Sequence, residues 1–145
     1  MRFIYTALIL ILSFLLYATN AQTSTFAGTY KHTIGQESSH SINYTLKLNI
    51  DGTFTFHSFS NDVKGIPPEV HTYGKGQWEA NKNIISFSTG MNDDINEKYS
   101  LDFNSTKARY ITKSPRDNSN RVIKTRLQIY NSEIRFLHGT ELIKE

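Results

Sequence analysis

Ile42-Asn43-Tyr44-Thr45-Leu46-Lys47-Leu48-Asn49-Ile50-Asp51-Gly52-Thr53-Phe54-Thr55-Phe56 decides the fold. Ile42, Tyr44, Leu46 and Leu48 alternate with polar residues, and Phe54 and Phe56 resume the alternation after Asp51-Gly52, which is a period of two and therefore strand, turn, strand. Parity selects the turn. A two-residue loop at Asp51-Gly52 would set Phe54 opposite Asn49 and split the apolar side chains between two faces. A three-residue loop, Ile50-Asp51-Gly52, with Gly52 in the left-handed bulge position, pairs Leu48 with Phe54 and Leu46 with Phe56. One face of the hairpin is then wholly apolar.

The same alternation runs outward in both directions. It predicts a first strand over 25–32, a strand over Tyr73–Ala80 carrying the single tryptophan, Trp78, and a strand over Ile84–Ser88 reached through Asn81-Lys82-Asn83. Two further hairpins are expected, one turning at Ser105-Thr106 to align Phe103 with Ala108 and Leu101 with Tyr110. The other turns at Asn131-Ser132 to align Ile129 with Ile134 and Leu127 with Phe136. A short last strand falls over Glu141–Lys144, and long connections are read at Asn61–Thr72, with Pro67-Pro68, and at Pro115–Asn120. No segment after Ala21 holds a 3.6-residue apolar period. The fold class is therefore all-β, an antiparallel meander of eight to ten strands that closes, or nearly closes, into a barrel, with a β-sandwich as the alternative.

The first twenty-one residues lie apart from this pattern. Met1-Arg2, an apolar stretch from Phe3 to Tyr17 and the small-residue end Ala18-Thr19-Asn20-Ala21 form an export-signal pattern, so residues 1–21 read as a helical signal peptide and 22–145 as one β-domain. Secretion or a periplasmic location follows, with no permanent membrane anchor after cleavage. The chain has no cysteine, which excludes disulfides, thiolate metal sites and a cysteine-linked lipid anchor. The 124 residues left after cleavage suffice for one unstapled core.

Charge is unevenly spread. Residues 22–106 hold six basic and nine acidic side chains, whereas Lys107–Arg126 holds seven basic residues and only Asp117. With Tyr110, Leu127 and Phe136 inward, parity sends Arg109, Lys113, Lys124, Arg126 and Arg135 outward as a basic face able to attract an anionic lipid, a glycan or another envelope partner. No nucleic-acid fold signature accompanies the charges, and no nucleic-acid partner is expected.

Three local patterns resemble the small secreted barrels of the lipocalin and calycin type, bacterial relatives included. They are Phe26-Ala27-Gly28-Thr29-Tyr30, Leu48-Asn49-Ile50-Asp51-Gly52-Thr53-Phe54 and Gly74-Lys75-Gly76-Gln77-Trp78. Tyr30 stands where that family carries the tryptophan of its Gly-x-Trp strand, the later Thr-Asp-Tyr signature has no counterpart, and the paired cysteines of the copper-stress lipoproteins are missing. The resemblance implies a closed binding-type barrel.

Eleven large rings, Tyr73 and Tyr99 among them, fall mostly in the inward phase and either fill the barrel or line a cavity for a small apolar or amphipathic ligand, with Tyr30, Phe54, Phe56 and Trp78 nearest to it. This exported, non-enzymatic binding barrel is the leading functional expectation, and the basic face gives a second. Metal binding or hydrolysis is the third, resting on His57 and His71 facing each other or on a serine meeting a histidine and an acid. No Gly-x-Ser-x-Gly elbow, phosphate loop or metal-ligand spacing is present, so no catalytic residue, cofactor or metal-ligand set is nominated. Ligand identity and oligomeric state are not encoded in any recognisable pattern.

Overall fold

The alternating segments become strands that each pair antiparallel with their neighbours in sequence. The computed structural model describes residues 24–90 and 94–145; the expected signal helix lies outside them. The strands are β1 (Gly28–Gln36), β2 (His40–Leu48), β3 (Thr53–Asp62), β4 (Glu69–Asn81), β5 (Ile84–Ser88), β6 (Lys107–Ile111), β7 (Arg126–Asn131) and β8 (Glu141–Lys144). They form a closed barrel in the order β1 to β8, which settles the choice between barrel and sandwich. The seam joins Tyr30 to Lys144 and Lys31 to Ile143. There Glu145 N donates to Thr29 O at 2.9 Å, and Lys144 Nζ donates to Thr25 O at 2.8 Å.

The β2–β3 turn has the expected chemistry. Gly52 sits at φ 83° and its N–H donates to Asn49 O at 3.2 Å, while Asn49 N donates to Thr53 O at 2.9 Å. Leu48 is opposite Phe54 and Leu46 opposite Phe56. Asp51 Oδ1 accepts from the Thr53 amide at 2.9 Å and the Thr53 hydroxyl at 2.6 Å. Those bonds, the hydroxyl first, hold the Asp51 carboxyl below its ordinary range. The turn is also tied to β4, because Trp78 N donates to Gly52 O at 2.7 Å and Trp78 Nε1 donates to Asn49 O at 3.0 Å. This end is the base of the barrel.

The two hairpins expected in the C-terminal half do not form. Strand β6 has only two edges and gives them to β5, through Ile85 and Ala108, and to β7, through Tyr110 and Leu127. Residues 101–106 are therefore irregular and drop Phe103 into the core. Its ring, fully buried, meets Phe54 at 4.9 Å, Phe56 at 5.4 Å and Phe87 at 6.0 Å. The segment is secured by Thr89, whose hydroxyl donates to Asp102 Oδ1 and accepts from Phe103 N at 3.1 Å, and whose carbonyl accepts from Asn104 Nδ2 at 2.6 Å.

After β7 the chain likewise turns instead of pairing. Leu127 faces Leu142 of β8, not Phe136. Ile134 and Leu137, three residues apart as in a helical turn, are the buried pair, with Leu137 N donating to Ile134 O at 2.9 Å. Phe136 lies between them in sequence and is left 42 % exposed.

Gly74 and Gly76 of β4 make room for these rings. A Cβ on Gly74 would lie 2.4 Å from Phe103 Cε2, and one on Gly76 would lie 2.2 Å from Ser88 O and 3.0 Å from Phe54 Cε1. Gly74→Ala is expected to destabilise the fold by about 1–3 kcal/mol through overpacking. Combining it with Phe103→Leu should cost at least about 0.5 kcal/mol less than the sum of the two single changes. Denaturant unfolding of the four proteins checks this, and strict additivity would show that Phe103 does not need the space at Gly74.

Candidate functional site

The strands are unequal, and the inequality opens the barrel at one end. β1 to β4 have 9, 9, 10 and 13 residues, and β5 to β8 have 5, 5, 6 and 4. β1 meets β8 only at Tyr30 and Lys31, and β4 meets β5 only from Gln77 onward. The upper parts of the four long strands thus rise past the short ones as a curved sheet, with the 37–39 turn and the 63–68 loop at its tip. The connection expected at Asn61–Thr72 shortens to 63–68, its two ends being taken into β3 and β4.

Tyr30, Phe54, Phe56 and Trp78 sit below this sheet in the packed part of the barrel and are at most 5 % exposed. The Tyr30 hydroxyl donates to Phe26 O, and burial raises its pKa far above the ordinary phenol value. Phe54 packs edge-on against Phe87 at 5.1 Å, and Trp78 is opposite Phe87 at the base. Phe54 and Phe56 pack against the plugging ring of Phe103, and all four side chains belong to the buried core.

Above them, the inward-phase positions are no longer covered. Ile34, Ile42, Ser60 and Val70 form one rung across β1 to β4, with His32, Tyr44, Ser58 and Thr72 in the rung beneath. Ile34 is 44 % exposed and Val70 47 % exposed although both lie on the core-facing side. Tyr44 makes the floor. Its ring stacks on Phe136 at 5.5 Å and lies 6.1 Å from His32, and burial raises its pKa. The outermost rung is polar, with Gln36, His40 and Asp62 aligned, and His40 Nε2 lies 3.4 Å from Ser60 Oγ. The core-facing side of the barrel mouth thus presents exposed aliphatic side chains at Ile34 and Val70 with polar residues above them. Of its residues, Ile34 and Val70 escaped the sequence reading, although Ile34 has the parity of Tyr30, and Val70 that of Trp78.

The five basic candidates do not share one strand face. Arg109 lies over the ring of Tyr130 at 5.7 Å, and Arg126 Nε is 3.1 Å from Glu141 Oε2. Lys113, in the segment between β6 and β7, donates from Nζ to Ser119 O at 2.7 Å. Lys124 is exposed in that same segment, and Arg135 is exposed in the turn before β8. Only Arg109 and Arg126 belong to strands.

Tyr73 is on the outer face, opposite His57, because five residues separate it from inward Trp78. Tyr99 lies outside too, bridged to Tyr73 along the free edge of β4. His57 and His71 do face each other, with Nε2 and Nδ1 3.0 Å apart and rings nearly parallel. No group of three metal-ligating side chains occurs among the described residues.

No protein-family model, curated protein or solved structure matches this chain.

A hydrogen bond between two imidazoles needs one ring nitrogen without a proton. Burial first, then the positive forms of His71 and Lys98, lower the His57 pKa below its ordinary value of 6.5. The unfolded chain therefore binds more protons than the folded one just below that pH, and stability should fall as pH drops through this window. His57→Gln is expected to lose less of its denaturant midpoint than the unaltered protein between about pH 7.5 and about pH 5.5. Equal losses in the two proteins would remove His57 from the pH response.

Proposed function

We propose that the chain is an exported, non-enzymatic, lipocalin-like binding protein, secreted or periplasmic, whose ligand is small and apolar or amphipathic. The observation that carries this reading is the exposure of the aliphatic side chains Ile34 and Val70 on the core-facing side of β1 and β4, with half-buried Ile42 between them, above the layer of buried rings. Water against Ile34, Ile42 and Val70 is displaced favourably by a hydrocarbon chain, at roughly 25 cal/mol per Å² of apolar surface covered. Tyr44 and Phe136 supply a flat aromatic floor for the buried end of the ligand. The rim of Gln36, His40 and Asp62 suits the polar head of an amphipathic molecule, since a few placed polar groups around an apolar pocket fix orientation.

The binding locus is thereby the mouth, and the four rings expected to line a cavity become its foundation. No specific observation gathers Arg109, Lys113, Lys124, Arg126 and Arg135 into a common anion site, so the mouth is the stronger locus.

Titration with lauric and palmitic acid, followed by methyl NMR, tests the reading. Saturable shifts are expected at Ile34, Ile42 and Val70, while the emission of Trp78, at the opposite end, stays unchanged. Val70→Asp should weaken binding at least about tenfold, a loss of roughly 1.4 kcal/mol. Absence of saturable binding, or binding indifferent to Val70→Asp, would overturn the mouth as the site.

A further inference from the structure

The outer face of the same four strands is built from different chemistry. One rung runs Thr29, Lys47, Thr55, Lys75 across β1 to β4, and the next runs Lys31, Thr45, His57, Tyr73. Tyr99 extends the second rung from the loop side. Neither rung holds a carboxylate. Lys31 is paired with Glu145 at 2.8 Å, whereas Lys47, Lys75 and Lys98 take part in no ion pair among the described residues.

Between these rungs lies a groove of about 320 Å³, bounded by Thr29, Thr45, Lys47, Thr55, His57 and the two tyrosines. Its size is at the lower end of small-molecule sites, roughly 300–1,000 Å³. Lys75 Nζ lies 5.1 Å from the centre of the Tyr99 ring, and Lys98 Nζ lies 5.0 Å from that of Tyr73 and 5.5 Å from that of Tyr99. The two ammonium groups thus rest on tyrosine faces, with no ion pair among the described residues.

We propose that this groove is a second binding site, separate from the barrel mouth, for an acidic saccharide unit of the uronic or sulfated type. Threonine hydroxyls along the floor donate to and accept from ring hydroxyls, as a sugar requires. Lys47, Lys75 and Lys98 provide the charge for a carboxylate or sulfate. An exposed cation–π contact is weaker than a charge-assisted hydrogen bond, so an arriving anion draws the two ammonium groups off the rings.

One face of Tyr73 stays covered by His57 at 4.6 Å and 7° between planes, which limits the groove as a platform for successive nucleobases. The groove is recessed and its lining presents no exposed aliphatic side chain. A membrane surface engages protruding cations and inserted apolar groups, and fits it poorly.

The test titrates the full chain, by calorimetry and amide NMR, with oligogalacturonate, alginate oligomers and heparin fragments. Neutral oligosaccharides of equal length and phosphatidylglycerol vesicles serve as comparisons. Saturable, salt-weakened binding of at least one acidic oligomer is expected, with shifts centred on Thr45, Thr55, His57 and Tyr99. The triple change Lys47→Gln, Lys75→Gln, Lys98→Gln should weaken it at least tenfold without lowering the unfolding temperature. Val70→Asp, which disables the mouth, should leave it intact, so the two sites fail independently. No binding of any acidic oligomer, equal binding of neutral ones, or indifference to the triple change would overturn the proposal. Lysine-dependent binding to vesicles alone would replace it with a membrane-surface site.

Discussion

A single hydrogen bond, from Gly52 N to Asn49 O, stands at the origin of the architecture. It closes a three-residue turn at a backbone conformation that favours glycine, and so fixes which residues of β2 and β3 share a face. Had the turn been one residue shorter, Phe54 and Phe56 would have pointed to solvent. Because Trp78 is hydrogen-bonded to the same turn through both its backbone and its indole, the phase is passed directly to β4. The inner and outer faces of the whole four-stranded half, and with them both proposed binding surfaces, descend from that parity.

Division of labour within the barrel follows from strand length. The short strands, β5 to β8, reach only as high as the packed layer of rings, and loops finish the wall above them by supplying Phe103, Ile134 and Leu137. The long strands continue beyond that layer with the same alternation. Of their inward side chains there, Ile34 and Val70 are left exposed, while the outer face of the same strands carries hydroxyl, cationic and aromatic groups. Stability is concentrated at the base, and recognition is proposed at the mouth and along the outer sheet.

Much of the fold was legible because a period of two is local. The Leu48–Phe54 and Leu46–Phe56 pairs, the Ile84–Ser88 strand and the closed meander all came from alternation and turn residues. Phe103, Ile134 and Phe136 were misplaced because alternation says which residues are apolar but not which edge remains to receive them. Both edges of β6 were already committed, a fact of closure and not of local sequence. Gly74 and Gly76 carried a legible hint, since paired glycines in a strand signal something large pressed against it. Of the candidate site, the aromatic foundation was legible, whereas the mouth was not. Exposure at Ile34 and Val70 depends on where neighbouring strands stop. Outward Tyr73 could have been found by counting from Trp78.

The narrow seam between β1 and β8 bears on how the chain reaches this state. Contacts among β1 to β4 are made by successive hairpins and close short loops, which form quickly. The pairing of Tyr30 with Lys144 joins residues near opposite ends of the described chain and rests on only two register pairs. Loop-closure entropy places that step late, after the meander has assembled. Until then the edge of β1 from Gly28 to Lys31 stands open beside the unfinished core, an invitation to the last strand of another copy. The bonds of Lys144 to Thr25 and of Glu145 to Thr29 thus serve as a latch that, once formed, holds the seam closed against strand exchange.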